Sequence, residues 1–403
     1  MKKILFFTFY LFFTFSYSQI KDSINNDVKL SSLPYYNYGK GLGITSADSL
    51  FQLNIRFRIQ NRITYIQNDD EDAAYQGEIR RLRLRFDGYV GNPKFLYVIQ
   101  LSFAPGDVGE IEEGENINII RDAAVFYRHN KHWNFLFGQT KLPGNRQRVN
   151  SSGALQFTDR TINNARFNID RDFGFQANYF QNNKDNFSYN IRTSVSTGEG
   201  RNWTKSADNG VAFTGKLELL PFGTFKKDGV YFEGDLAREP KPKLMLSGTF
   251  HQNNLAKRTQ GQLGDDLFEE KTMKSVLLDA ILKYNGFSLM TSYMNRTAKN
   301  PIAINPLNNS EFNYVYVGSG TDFQGSYMFK NHYEIIARYS NQKVHEDIFA
   351  FTPNTKQYSL GVTKYIWEHA FKIQAEVTKT DLSYINNTNK ENWYVRFQIE
   401  MGI

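Results

Sequence analysis

The stretch EIRRLRLRFDGYV, residues 78–90, alternates charged and apolar side chains. Arg81, Arg83 and Arg85 occupy every second position, and leucine or phenylalanine fills the positions between them. Successive side chains of a β-strand point to opposite faces, so this alternation predicts a strand with one apolar face and one strongly basic face. The two faces must therefore meet different surroundings.

Period-two alternation continues from residue 51 to the last residue and predicts sixteen strands, most of them about 10 to 15 residues long. Long connections alternate along the chain with tight turns such as Gly91-Asn92 and Asn285-Gly286. An even strand count with this arrangement of loops and turns is typical of a bacterial outer-membrane barrel. We place the strands near residues 51–66, 79–90, 93–104, 119–129, 132–142, 171–181, 185–197, 210–220, 242–253, 273–284, 286–296, 320–330, 332–342, 356–366, 369–380 and 391–403.

A soluble β-sandwich would alternate in the same way, but its strands average about five or six residues. A tilted strand needs about 9–11 residues to cross a bilayer, which agrees with the predicted lengths. The sequence therefore predicts an all-β fold, a transmembrane antiparallel β-barrel of about 16 strands. One connection on the side of the short turns, 221–241, is long, and the pattern offers no reason for its length.

The predicted chain has three parts. Two lysines, an apolar run and a group of small residues give residues 1–18 the layout of a signal peptide. Residues 19–50 are predicted to form a periplasmic N-terminal segment. Residues 51–403 are predicted to form the barrel, with an inward-folded loop near 143–170. The predicted location is the bacterial outer membrane.

Composition narrows the possible chemistry. The 403 residues include no cysteine, which excludes a disulfide framework and a thiolate metal site. The net charge of +7 suggests an anionic partner, although ordinary solubility charge would give the same value. The six histidines are scattered, and the sequence contains neither a Gly-x-Ser-x-Gly elbow nor a complete phosphate-binding glycine loop. We therefore expect no metal and no cofactor.

The energy of burying charge in lipid decides where the arginines point. An arginine on the lipid face near the bilayer midplane costs about 2–4 kcal/mol, so three on one strand would cost roughly 10 kcal/mol, comparable with the stability of a whole domain. The arginine face must therefore meet a wet lumen, and the same argument turns Arg56, Arg58 and Arg62 inward. Alternate residues lie about 6–7 Å apart, so the six arginines form a ladder along the pore. Two interpretations remain open: passage of anions, or pairing with acids on an inward-folded loop, such as Asp159.

The stretch FLFGQTKLPGNRQRVNSSGALQFTDRTINNARFNIDRDFGFQANYF, residues 135–180, resembles the phosphate-selective porin O and P family. The double arginine Arg80-Arg81 resembles the pair that opens the second strand in that family. Residues 217–244 look like the form found in members from Bacteroidota. The matching pieces of the first stretch are Gly138, Lys141, Pro143, Gly144, Ser151-Ser152, Phe157, Asp159-Arg160, Arg171 and Gly174.

The resemblance implies a sixteen-stranded, trimeric outer-membrane channel whose arginines and one constriction lysine handle phosphate-like anions. It assigns the constriction lysine to Lys141 and the first-strand arginine to Arg58 or Arg56, and it gives Arg160 a further role.

Two positions depart from the family pattern. Ser102 stands where the family often has an acid, and this departure bears on phosphate selectivity. The last residue is Ile403, where an aromatic residue is usual for barrel assembly. The final strand still alternates, so the second departure leaves the predicted fold unchanged.

We therefore predict a porin for passive diffusion of small anions, above all phosphate-like solutes, in contact with outer-membrane lipid and assembled as a homotrimer. Nucleic acid is not expected as a partner, because the arginines lie inside a pore. One alternative is a general or organic-anion porin without phosphate specificity. Another is a barrel enzyme, which sixteen strands disfavour because they leave a barrel wide enough for water. The predicted binding residues are Arg56, Arg58, Arg62, Arg80, Arg81, Arg83, Arg85, Lys141 and Arg160.

Overall fold

The computed structural model describes residues 41–69, 71–108, 119–202 and 210–403. The predicted signal peptide and most of the predicted N-terminal segment lie outside these residues. The described residues form nineteen strands. They are β1 (Leu42–Thr45), β2 (Phe51–Gln67), β3 (Ala74–Val90), β4 (Asn92–Ser102), β5 (Ile120–Arg128), β6 (Trp133–Lys141), β7 (Arg171–Gln181), β8 (Ser188–Ser196), β9 (Ala212–Leu220), β10 (Lys243–Arg258), β11 (Asp266–Tyr284), β12 (Phe287–Ala298), β13 (Ile302–Asn305), β14 (Asn308–Tyr314), β15 (Gly318–Met328), β16 (Tyr333–Val344), β17 (Asn354–Trp367), β18 (Phe371–Ser383) and β19 (Asn389–Gly402).

Sixteen of these strands, β2–β12 and β15–β19, form one closed barrel in which each strand pairs antiparallel with its two neighbours. The barrel closes where β19 pairs with β2, from Trp393 opposite Gln67 to Gly402 opposite Arg58. The predicted all-β antiparallel barrel of about 16 strands is confirmed. The bounds of β7 agree with the prediction, whereas β11 begins at Asp266 instead of near residue 273.

The alternation pattern does not predict the three remaining strands. β1 pairs with β2, with Leu42 opposite Ile55, and continues the barrel wall beyond the point where β19 ends. β13 and β14 form a separate hairpin in the connection between β12 and β15. β1 and β13 have four residues each, too few to show a period of two, and β14 is exposed along most of its length.

The outer surface of the barrel is apolar and the inner surface is polar. On β17, Leu360 and Val362 are 60% and 43% exposed and point outward, whereas Ser359 and Thr363 point inward and are buried. The same division on strand after strand matches a barrel that stands in lipid and holds polar groups inside.

Aromatic side chains gather on the outer surface near both rims. The ring of Tyr65 lies 5.2 Å from that of Trp393 at the rim of the long connections. Trp133 lies 5.1 Å from Tyr179 at the rim of the short turns. Aromatic belts of this kind mark the two interfaces of a membrane. In the part of the chain that the structure describes, no helix is both long and apolar enough to span a membrane.

In the described residues, two long connections pack deep inside the barrel. The first, residues 143–170 and here called the loop-side insert, comes from the rim of the long connections. The second, residues 221–241 and here called the turn-side insert, comes from the rim of the short turns and contains a 3-10 region (Lys226–Tyr231) that is interrupted at Lys227 and Asp228, where φ is positive. The described α-helices are α1 (Pro105–Val108), α2 (Arg146–Val149), α3 (Ile162–Phe167) and α4 (Glu346–Phe349). The loop-side insert contains a 3-10 turn (Ser152–Ala154) and the helices α2 and α3.

Candidate functional site

The basic inner face is built by β2 and β3, whose arginines lie directly opposite one another. Arg56 faces Arg85 and Arg58 faces Arg83 across the two strands. Directly opposite side chains on neighbouring strands lie about 4.5–5.5 Å apart at Cβ, so like charges there repel each other. Carboxylates between them are therefore needed to hold this register.

A β-bulge adds one more arginine to the inner face. The register between β2 and β3 shifts after Gln60, which faces Arg81, because the next residue, Asn61, faces Ile79. Arg80 is therefore the extra residue of the bulge. Both Arg80 and Arg81 reach the same carboxylate in the lumen as a result.

That carboxylate belongs to Asp159 of the loop-side insert. It accepts hydrogen bonds from Arg62 at 2.5 Å, Arg80 at 2.9 Å and Arg81 at 3.0 Å. Burial alone would raise the pKa of Asp159, but the guanidinium groups of Arg81, Arg80 and Arg62 outweigh burial and hold this pKa well below its usual range. Asp159 therefore stays ionised and ties the insert to the arginine face.

Carboxylates from the barrel wall hold three further arginines in place. Arg56 and Arg85 share Asp87, at 3.0 Å and 2.8 Å. Arg58 lies 3.3 Å from Glu400 on β19. Each of these three arginines thus has a carboxylate partner within the lumen.

A third shared carboxylate is that of Asp107, which follows β4. Arg83 and Arg121 both bind Asp107 of α1, at 2.8 Å and 2.9 Å. Ser102, the position where the family often has an acid, donates its hydroxyl to Asp107 at 2.6 Å. Asp107 thus places a carboxylate next to Ser102, the position where the family often has an acid.

Lys141 and Arg160 have a different kind of partner. Lys141 Nζ donates to the carbonyl oxygens of Val149 and Asn150 at 2.9 Å and 2.8 Å. Arg160 donates to the carbonyl oxygens of Gln147 and Asn150 at 2.6 Å and 3.0 Å. Basic side chains commonly satisfy carbonyl groups at the end of a helix. Both residues therefore hold the end of α2 and the chain that follows it.

Positive charge exceeds negative charge in this cluster. Nine arginines lie within 4 Å of five carboxylates, and Lys372 shares one of those five. The carboxylates are those of Glu78, Asp87, Asp107, Asp159 and Glu400. The arginines are the seven predicted on β2 and β3, together with Arg121 and Arg396.

Water reaches only some of the guanidinium groups. The side chains of Arg80 and Arg83 are 24% and 11% exposed, and those of Arg396 and Arg148 are 20% and 15% exposed. The other predicted arginines of β2 and β3 are almost fully buried. The sequence could have identified Arg396 as an inward-facing arginine, because it alternates with apolar residues on β19. Arg148 lies on a short helix, where no such alternation exists.

The loop-side insert is hydrogen-bonded to the inner wall of the barrel on several sides. Lys216 on β9 donates to the carbonyl of Gly144 at 2.8 Å, and Lys372 on β18 donates to that of Gly153 at 3.0 Å. Asp322 on β15 accepts a hydrogen bond from the Thr161 hydroxyl at 3.0 Å. Because these three strands lie on different sides of the barrel, the insert crosses the lumen.

An apolar exterior, two aromatic belts and a charged interior together define an outer-membrane channel protein. The family model for phosphate-selective porin O and P matches residues 51–399, and the chain belongs to that family, as the sequence predicts. It is therefore a protein of the bacterial outer membrane. In such barrels the short turns face the periplasm and the long loops face the outside of the cell.

Solved structures with the same fold share little sequence with this chain. The outer membrane channel DcaP of Acinetobacter baumannii is 12% identical, with a TM-score of 0.56, and the match covers 90% of this chain and 99% of that one. An anion-selective porin from Comamonas acidovorans is 10% identical, with a TM-score of 0.54 and coverage of 87% and 99%. Salmonella typhi OmpF, in complex with daunomycin, is 12% identical, with a TM-score of 0.52 and coverage of 89% and 100%. No curated protein sequence matches significantly.

Proposed function

We propose that the protein lets small anions diffuse across the outer membrane, with a preference for phosphate-like solutes, along the arginine face of β2 and β3. The observation that carries this proposal is the excess of arginines over carboxylates on that face. A guanidinium group presents a fixed fork of donors that can bind two oxygen atoms of one phosphate or carboxylate.

The proposed roles differ with exposure. Arg80 and Arg83, the predicted arginines of β3 that water reaches, contact the solute. Lys141 and Arg160 act indirectly, by fixing the loop-side insert that narrows the lumen. The buried arginines set the positive field of the pore while bound to carboxylates, and they are Arg56, Arg58, Arg62, Arg81 and Arg85.

A second candidate is a general anion porin without phosphate specificity. It is favoured by the carboxylate partner that each of the seven predicted arginines of β2 and β3 already has, because a guanidinium group held in this way has fewer donors left for a solute. The family and the barrel fold point to a channel and not to an enzyme.

The reversal potential of the protein in a planar bilayer, measured across a KCl gradient, tests the proposal. We expect chloride to be preferred over potassium, and phosphate added below the chloride concentration to block the chloride current. Chloride preference without block would support the general anion porin. Cation preference would contradict both candidates.

An arginine variant tests whether the arginine face determines the ion selectivity. A unit charge about 4 Å from an ion is worth about 1 kcal/mol in water, so Arg83→Gln is expected to lower the chloride preference roughly fivefold. Lys131→Gln, which removes one positive charge from an exposed periplasmic turn, is the matched control and should leave the preference unchanged.

We further propose that the protein assembles as a homotrimer in the lipid of the outer membrane, as the family resemblance implies. Native mass spectrometry in detergent is expected to give three times the mass of one chain. A monomeric mass under conditions that preserve channel activity would contradict this assembly.

A further inference from the structure

The turn-side insert is the long periplasmic connection for which the strand pattern gives no reason. It leaves the rim after β9 and returns to it before β10. Between these points, Glu233 and Asp235 are each only 1% exposed, although this segment lies between two strands at the edge of the barrel. Two carboxylates so deeply buried indicate that the insert packs inside the barrel and does not stand in the periplasm.

The insert is anchored mainly on β11 and β12, and further contacts reach β8, where Arg192 donates to the Tyr231 hydroxyl at 3.1 Å, and the β17–β18 turn, where the His369 ring lies 4.4 Å from that of Phe232. Lys283 on β11 donates to the carbonyl oxygens of Gly229 and Gly234 at 2.7 Å and 2.6 Å. Ser288 on β12 donates to the carbonyl oxygen of Glu233 at 2.5 Å. In the ring of sixteen strands, β11 lies eight strands from β3, which is the opposite side of the barrel. The main anchors of the insert thus lie on the wall opposite the arginine face.

The two inserts meet inside the lumen, and Glu233 is the centre of the contact. Its carboxylate accepts from Gln147 Nε2 and from the backbone N–H of Gln156, both at 2.9 Å. Gln324 of β15 donates to the same carboxylate at 3.1 Å. The backbone N–H of Glu233 donates to the carbonyl oxygen of Ala154 at 3.1 Å.

Arg146 makes the reciprocal contact from the loop-side insert. Its guanidinium group donates to the carbonyl oxygens of Val230 and Phe232 at 2.7 Å and 2.5 Å. The backbone N–H of Arg146 is held by Asp279 on β11 at 2.9 Å. Each insert thus supplies one buried charged side chain that binds the backbone or the amide groups of the other.

We propose that the turn-side insert is a second constriction element, which enters from the periplasmic side and keeps the solute path on the arginine face. Glu233 and Arg146 are positioning residues, because they hold the two inserts together without touching the solute. The insert fills the lumen beside β11, β12 and β15, so solutes are directed toward β2 and β3. This inference requires only that the protein is a channel, and it does not depend on which ions the channel prefers.

Single-channel conductance tests the role of the insert. Replacing residues 225–239 by a short glycine-serine linker removes the obstruction, and we expect conductance to rise on the order of twofold or more, since conduction depends on the width of the path. Glu233→Ala is expected to raise conductance by a smaller factor and to increase current fluctuations. Lys227→Ala is the matched control: this side chain of the same insert is 69% exposed and pairs with Glu368, so its removal should change nothing.

The outcomes separate this inference from the proposed function. Wild-type conductance in both the shortened variant and Glu233→Ala would overturn the second constriction. Loss of anion preference in the wild type would leave it intact, because the readout here is conductance and not selectivity. The heat-dependent mobility of the barrel on gels reports whether each variant is folded.

A cysteine pair tests the contact even if the shortened variant does not fold. The chain has no cysteine of its own, so Ala154→Cys with Glu233→Cys introduces the only two thiols. The backbone hydrogen bond between these positions brings them close enough for a disulfide. We expect mild oxidation of the folded protein to join the two positions, detected by peptide mass. Failure to join in a folded barrel would contradict contact between the inserts.

Discussion

At the scale of single residues, the arginines of β2 and β3 both stabilise the fold, through their carboxylate partners, and make the lumen positively charged. A buried guanidinium group without a partner would cost several kcal/mol, so the carboxylates of the lumen are required for folding. The inward direction of these arginines follows from the alternation of the sequence. Their partners do not, because Arg58 and Glu400 are joined only by the closure of the barrel. Asp159 could be suggested from the sequence only as one of several acids in the loop.

Asp159 offers a direct test at this scale. Asp159→Asn removes one negative charge from between the guanidinium groups of Arg62, Arg80 and Arg81 and leaves more of their positive charge uncompensated, while Arg62 keeps Glu78 as a partner. One unit charge at about 4 Å is worth about 1 kcal/mol in water, so the chloride preference is expected to rise roughly fivefold. Reversal potentials in a KCl gradient measure the change, and Asp159→Glu is the control that keeps the charge. Equal preferences in the wild type and Asp159→Asn would mean that ions do not pass near this residue.

The depressed pKa of Asp159 gives a second prediction. Its ion pairs stabilise the fold at pH values above the unfolded pKa of about 3.9, and this contribution is lost only as the pH falls through the lower folded pKa. The difference in reversal potential between the wild type and Asp159→Asn should therefore stay constant from about pH 7 to about pH 5. A difference that shrinks within this range would show that Asp159 takes up a proton there.

At the scale of elements, the sequence predicts the strands, which share a repeating alternation, but it does not predict the turn-side insert and the bulge, which have no repeat. The sixteen barrel strands repeat one alternation, and their number and order follow from it. The turn-side insert has no period, and its contacts, such as Glu233 with Gln147 and Gln324, join residues far apart in the chain. The bulge that brings Arg80 beside Arg81 is likewise set by pairing between strands.

The loop-side insert can be tested through Lys141. Lys141→Met keeps much of the side-chain volume but removes the donor to the buried carbonyl group of Val149, whereas the carbonyl group of Asn150 keeps Arg160 as a donor. Leaving a buried polar group unsatisfied costs about 1–3 kcal/mol, so the insert should become more mobile. Limited proteolysis is expected to cleave the insert several times faster, whereas Lys330→Met in an exposed turn should match the wild type. An unchanged cleavage rate would mean that other contacts alone hold the insert.

At the scale of the whole molecule, stability depends on keeping charge inside and apolar surface outside. Leu360 lies near the middle of β17 and points outward. Leu360→Arg is expected to lower the free energy of unfolding by about 2–4 kcal/mol, the cost of arginine near the bilayer midplane. Urea unfolding in lipid vesicles measures this free energy, with Leu360→Ala as the control for the lost apolar side chain. A loss no larger than that of the control would place this position away from the lipid.

The pairing of β19 with β2 also determines when the loop-side insert can become fixed during folding. Gln60 on the first barrel strand donates to Glu400 on the last, 340 positions later in the chain. Arg58 and Lys372 meet at Glu400 too, and both also hold the loop-side insert. The anchors of the insert are therefore incomplete until the final strand has been added to the wall. During biogenesis the insert should remain cleavable at Arg148 until closure and then become resistant, so the onset of trypsin resistance would date the completion of the barrel.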